Sequence, residues 1–237
     1  LITGGTGALG KELQKIFPEN ISPNHEELDI TDKKQVKKIF QQNEIDTIIH
    51  TAAITKIRKC EEDKTLTWNV NVQGTKNLID EIIQSELNIN FVYVSTACVF
   101  DGDSGMYTEE SIPYPENFYS LTKLLGEFHV NRLFNSLIIR TNFVPRKSWP
   151  YERAFTDRFG TYLFADQVAN GINDVIKEKL TGIVHIVGDK KMSVFELAQM
   201  ITPDIKPMTI NDYSGPNLTM DMSLDTKRWK KYSIIKN

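Results

Sequence analysis

Residues 1–10 read LITGGTGALG. A short apolar lead runs into Gly4, Gly5, Gly7 and Gly10, and from Ala8 to Phe17 apolar residues recur at three- and four-residue spacing. Gly5, Gly7 and Gly10 satisfy GxGxxG, while Gly4, Gly7 and Gly10 fall at three-residue intervals. The pattern is a strand, a turn free of Cβ atoms, then the start of a helix. Backbone can approach a ligand closely there, and the unpaired N–H groups and positive end of the helix face an anion. A dinucleotide pyrophosphate is the ligand this geometry suits, bound outside the carboxyl ends of the strands. The flanking strand and helix separate this reading from a glycine-rich structural turn.

Outward from the loop, apolar runs alternate with helix-period segments. Strands are expected at Leu1 to Thr3, Thr47 to Thr51, Phe91 to Ser95 and Leu137 to Arg140, with a short one at Asn20 to Ser22 between Pro18 and Pro23. Helices are expected at Ala8 to Phe17, Lys33 to Gln42 behind an Asp32 cap, Trp68 to Gln84 and Ser120 to Asn131. This βα rhythm predicts an α/β fold: a doubly wound parallel sheet covered by helices on both faces. After Arg140 the texture changes to Pro, Arg and aromatic residues, and helical patterns resume at Ala165 to Lys177 and Val194 to Ile201. The reading is a dinucleotide-binding domain over 1–141 and a smaller C-terminal substrate lobe over 142–237. The two are interleaved, because GIVHIVG at 182–188 reads as a late buried strand that can rejoin the sheet.

The 237 residues are 40% hydrophobic and 25% charged, which suits one globular unit and excludes disorder, collagen and coiled coil. No run reaches the roughly 20 apolar residues of a membrane helix, so a soluble cytoplasmic protein is expected, without a membrane partner. The first residue is Leu1, already inside a strand, so a few residues are expected to precede it. Cys60 and Cys98 are too few for a disulfide framework and lie in no zinc-binding spacing, so no metal is expected. A net charge of -3 gives no field that draws nucleic acid. Any phosphate is held by local geometry.

About 20 residues past the glycines such folds place a carboxylate on the adenosine ribose. Glu26, Glu27 and Asp29 lie in that window, whereas the short second strand ends nearer Asn24 and His25. NAD and NADP both remain open, and Asp29 serves either as an adenine-side contact or as the cap of the following helix. Tyr119 and Lys123 stand four apart on one helix face. An ammonium beside a phenol favours the phenolate and draws its pKa of about 10 toward neutrality. Thr96, ending the FVYVS strand, stands where this architecture presents ligand-facing residues.

Taken together, these segments resemble the extended short-chain dehydrogenase/reductases, within them the dTDP-4-dehydrorhamnose reductase-like branch with its Rossmann-type fold. The resemblance is carried by TGGTGALG at 3–10, LDITD at 28–32, HTAA at 50–53, NVQGTKNL at 71–78, STACVF at 95–100, YSLTK at 119–123 and RTNFVP at 140–145. It implies catalytic Thr96, Tyr119 and Lys123. It also implies a cofactor, NADP or NAD, held by Gly4, Thr6, Gly7, Ala8, Leu9 and Gly10, by Asp29 and Ile30 near the adenine, and by Ala52, Ala53, Thr55, Tyr119 and Lys123. The implied reaction is NAD(P)H-dependent reduction of a 4-keto-6-deoxy sugar nucleotide, with the sugar nucleotide as partner and a homodimer as one assembly.

Departures from the pattern shape the alternatives. Related 4,6-dehydratases follow the catalytic hydroxyl with an acidic pair; here Ala97 and Cys98 follow Thr96, which disfavours dehydration. Cys98 matches the acid/base cysteine of GDP-fucose synthases and plant-type 3,5-epimerase/4-reductases, and reads either as an epimerising thiol or as a buried small hydrophobe. The partner acid of those enzymes falls near Arg158, a poor proton shuttle. Arg146, Lys147, Arg153 and Arg158, with Trp149 and Tyr151 between them, read as a diphosphate- and base-binding segment or as a solvated basic loop. Asp166 reads as a helix cap, and His50, His129 and His185 are assigned no chemistry. The competing functions are a sugar-nucleotide epimerase that keeps its cofactor, and a cofactor-binding regulatory subunit like the methionine adenosyltransferase beta subunit.

Overall fold

The computed structural model describes residues 1–235, so the last two positions of the expected C-terminal lobe lie outside the described residues. Five parallel strands form the central sheet in the order β1 (Ile2–Thr3), β2 (Thr47–His50), β3 (Asn90–Val94), β4 (Ser136–Arg140) and β5 (Gly182–His185). The late strand expected near 182–188 is therefore the edge strand beside β4, and the C-terminal half of the chain completes the sheet. Side chains alternate between faces, as a strand period of two requires. Ile49, Val92, Val94, Leu137 and Ile139 pack in one apolar layer with α1 (Ala8–Ile16) and α7 (Ala165–Lys177). Ile48, Phe91, Tyr93 and Ile138 pack in the other, with α2 (Lys33–Gln42), α5 (Thr75–Gln84) and α6 (Phe118–Val130). A sheet buried on both faces reads as nearly continuous apolar runs, which is the texture of FVYV and SLIIR.

The segment 20–22 is not a strand. Flanked by Pro18 and Pro23, it makes one contact of ladder type, Ile2 N donating to Ile21 O at 2.8 Å. That bond lies on the edge of β1 away from β2, because Leu1 O and Thr3 O face β2. The chain thus leaves β1 toward one side and returns on the other. The C-terminal end of β1, carrying the glycine loop, is the switch point where such sheets bind ligands.

The helix expected from Trp68 begins earlier. α3 (Ile57–Glu62) is followed by α4 (Lys64–Trp68), capped by the Asp63 carboxylate, and by a π-helical stretch over Asn69–Gly74 that continues into α5. This stretch and the first turn of α5 direct three polar side chains to the loop after β2, the end of β2 and the loop before α2. Asn71 Oδ1 accepts from Ile54 N at 2.8 Å, Thr75 Oγ1 meets His50 Nε2 at 3.0 Å, and Asn77 Nδ2 donates to Ile30 O at 3.0 Å. His50 is buried between Thr3 and Thr75, and burial, followed by the Lys123 charge, lowers its pKa to about 3. A folded value below the unfolded one of about 6.5 means that the unfolded chain binds the extra proton first. Stability is therefore expected to fall as pH drops from about 6.5 toward 3. Thermal melts against pH check this: His50→Asn should flatten the slope.

Beyond β4, besides α7 and β5, the chain forms short strand pairs. Phe143–Val144 pairs with Leu163–Phe164, Arg153–Phe155 with Lys206–Met208, and Phe159–Gly160 with both Met192–Ser193 and Asp221–Met222. The last α-helix among the described residues, α8, spans Val194–Gln199 behind a Ser193 cap. Among the described residues no helix is long and apolar enough to cross a membrane, and no group of three or more His, Cys, Asp or Glu could hold a metal.

Candidate active site

The glycine loop turns at Gly4, whose φ of +74° disfavours any side chain. A Cβ there would also lie 2.6 Å from Ala52 N, so the turn and the loop after β2 touch backbone to backbone. Gly7 then caps α1 without a side chain, which leaves the first N–H groups of the helix free to face a ligand. Thr6, Gly7 and Ala8 are exposed along this rim, whereas Leu9 and Ile30 are buried with side chains in the two apolar layers. Ala52 and Ala53, expected along the cofactor, are half-buried, and Thr55 is exposed. Asp29 neither caps α2 nor lies free. Its carboxylate accepts from Thr31 N and Oγ1 at 2.8 and 2.7 Å, and Asp32 is the cap.

Thr96 leaves β3 and heads the 3-10 turn Ala97–Val99, its hydroxyl accepting from Cys98 N at 3.2 Å. Facing it is Tyr119, in the first turn of α6. Asn117 caps this helix through Ser120 N at 3.0 Å, and Glu61 accepts from Phe118 N at 2.7 Å. Tyr119 and Lys123 are 9% and 3% exposed, so both are sheltered from water. Burial pushes the Tyr119 phenol up, the Cys98 thiol adds to this, and the Thr96 hydroxyl opposes it. The downward shift expected from Lys123 is not what the chain by itself gives: the Lys123 Nζ lies 4.0 Å over the Tyr93 ring centroid. Burial lowers Lys123 to about 7, and the Glu127 carboxylate pulls it the other way.

Sequence reading missed Glu127. It is the third member of the four-residue series Tyr119, Lys123 and Glu127, a spacing that puts all three on one helix face. Its carboxylate accepts from Arg140 Nε at 3.0 Å and NH2 at 2.6 Å, and from Ser95 Oγ at 2.5 Å. Gly126 opens the space beneath: a Cβ there would collide with the Tyr93 hydroxyl, so the tyrosine slides under the helix and supports Lys123.

Of the four cations expected at a diphosphate, Arg146, Lys147, Arg153 and Arg158, three have partners of their own. Arg146 pairs with Asp166 at 2.9 Å and stacks over Phe164, and Arg153 donates to Pro207 O and lies 3.6 Å from Asp212. Arg158 donates to Thr219 O and reaches Met222 Sδ at 3.1 Å. Lys147 is exposed. Asp166 is not the helix cap: Phe164 holds that position, and Gln167 Oε1 accepts from its N–H. Cys98 is 6% exposed with Met222 Sδ at 3.2 Å.

Residues 1–153 match the family described as RmlD substrate binding domain. Among curated relatives, the methionine adenosyltransferase 2 subunit beta of Xenopus laevis is 37% identical over 278 aligned residues, covering 99% of this chain and 82% of the relative. The dTDP-4-dehydrorhamnose reductase of Aggregatibacter actinomycetemcomitans is 29% identical, covering 84% and 76%. Among solved structures, the dTDP-4-dehydrorhamnose reductase of Bacillus anthracis in complex with NADP superposes with a TM-score of 0.85 at 27% identity, covering 94% of this chain and 89% of that one.

Proposed function

The chain belongs to the RmlD substrate binding domain family, and from that premise we propose that it is an NAD(P)H-dependent reductase of a 4-keto-6-deoxy sugar nucleotide. The reading is supported by Thr96 beside Tyr119, with Lys123 one turn further along α6, at the end of the sheet that also bears the open glycine turn. The cradle fits a dinucleotide: Gly4 allows backbone approach, and the uncapped start of α1 offers N–H groups to a pyrophosphate. Gly4 to Gly10, Ala52, Ala53, Thr55 and Lys123 would hold it. When bound, a reduced nicotinamide cofactor would be the hydride source for the keto carbon. Burial keeps the Tyr119 phenol protonated, so it is a proton donor to the keto oxygen, and the Thr96 hydroxyl orients that oxygen. Lys123, as an ammonium, offers donors to ribose hydroxyls and stabilises the phenolate left behind.

Titration with NADPH and NADH, followed by absorbance on adding dTDP- or UDP-4-keto-6-deoxyglucose, tests this. Consumption of reduced cofactor is expected; binding without consumption overturns it. Gly4→Val, strained by its φ and by contact with Ala52, is expected to weaken NADPH binding at least tenfold, read by fluorescence titration. A second reading, a regulatory subunit, is favoured by the 37% identity to a methionine adenosyltransferase beta subunit across 99% of the chain. A stable complex with a methionine adenosyltransferase catalytic chain, without cofactor consumption, would select it. Added epimerase chemistry finds less support. Cys98 lies against the Met222 thioether, which carries no proton, and Arg158, at the position of the expected partner acid, is engaged with Thr219 O and Met222 Sδ. Cys98→Ser is expected to leave product stereochemistry unchanged and turnover within about threefold, as chromatography of the product sugars would show.

A further inference from the structure

We propose that Glu127, clamped by Arg140 and Ser95 beneath α6, is the positioning residue that keeps Lys123 in its ammonium form over the Tyr93 ring. The catalytic consequence rests on the reductase reading; the charge relation does not.

Among the described residues Glu127 is the carboxylate that acts on Lys123; Glu61 of α3 is taken up by Phe118 N at the start of α6. From α6 itself come Tyr119, four residues before, and Glu127, four residues after. β3 contributes the neutral Tyr93 ring, and β2 contributes His50, whose titration Lys123 influences and which burial keeps neutral. Arg140, on β4, stands against Glu127 and packs its guanidinium 5.1 Å from the Phe100 ring centroid. Without an anion, an amine 3% exposed sheds its proton rather than bear the desolvation of a cation. Glu127 counters that burial cost. The guanidinium and Ser95 hold the carboxylate in place through its hydrogen bonds, and Lys123 stands one helical turn before it on the same face.

The test is an NMR titration of the full chain carrying lysine labelled at Cε, with the Lys123 signal assigned by its loss in Lys123→Met. Glu127→Gln leaves Arg140 unpaired and invites misfolding, so Glu127→Gln/Arg140→Met, which removes both charges, is measured beside it. In either Gln variant the Lys123 midpoint is expected at least one pH unit below wild type, a tenfold loss of ammonium on the alkaline side. Arg140→Met alone removes a like charge and should not lower it, and Glu127→Asp should keep it near wild type. An unchanged midpoint in the double variant, or equal shifts in all variants, overturns the proposal and leaves the pair purely structural. The alkaline limb of kcat should move with the midpoint. If wild type consumes no reduced cofactor the reductase reading fails, and the titration still decides the role of Glu127.

Discussion

Tyr119→Phe is expected to lower kcat for keto-sugar reduction by about 10²- to 10⁴-fold, the range that a positioned general acid contributes. In free energy this is about 3–5 kcal/mol of transition-state stabilisation. The ring stays, so the packing of a residue 9% exposed against Thr96 and Cys98 stays with it, and NADPH affinity should remain within about threefold. Steady-state rates and fluorescence titration on the same preparation separate the two effects. Wild-type turnover in this variant would remove Tyr119 from the chemistry. The pH profile adds a sign. The phenol is held up by burial and stays protonated through neutrality, whereas Lys123 loses its charge as pH rises through about 7. An alkaline fall in kcat with a midpoint near neutrality thus reports Lys123, and should persist in the residual activity of Tyr119→Phe.

What the sequence made legible follows from how local each feature is. The glycine turn, the four main strands and the helix start behind Asp32 are written in short-range pattern, and they stand where expected. The Tyr119 and Lys123 spacing placed the pair on one face, yet gave the wrong direction for the phenol, because spacing encodes neighbours and not desolvation. Burial comes from β3 and the 97–99 turn, brought from elsewhere in the chain. The π-helical turn at 69–74 had no periodic signature of its own. Around it Asn71, Thr75 and Asn77 bind the loop at Ile54, the end of β2 at His50 and the loop at Ile30, partners that lie far away along the chain. The segment 20–22 shows the reverse error: a short strand was expected there between Pro18 and Pro23, but it makes a single ladder-type bond. Arg146 and Arg153 looked like a phosphate cluster because their partners Asp166 and Asp212 lie 20 and 59 residues away. Glu127 was hidden for a like reason. A carboxylate on an apolar helix face makes sense only with the guanidinium of the next strand beside it.

That pair carries the largest stability effect. Arg140 and Glu127 side chains are 2% and 3% exposed, and the carboxylate takes two guanidinium bonds plus the Ser95 hydroxyl. Two solvated charges brought into the interior gain little net stability, since desolvation consumes most of their attraction. Removing one partner is different, because the other keeps its burial cost and loses its compensation. Arg140→Met, which preserves apolar contact with Phe100, is therefore expected to cost about 3–5 kcal/mol. For a chain of this size each kcal/mol moves Tm by about 2–4 °C, so a drop of roughly 6–20 °C should appear in calorimetry. The double variant Glu127→Gln/Arg140→Met should recover most of that loss, because it strands no charge. A deficit in the double variant equal to the sum of the single losses would mean that each side chain acts through its own packing. A loss of under about 1 kcal/mol for Arg140→Met alone would mean that Glu127 finds another partner, with Lys123 the nearest cation to supply it.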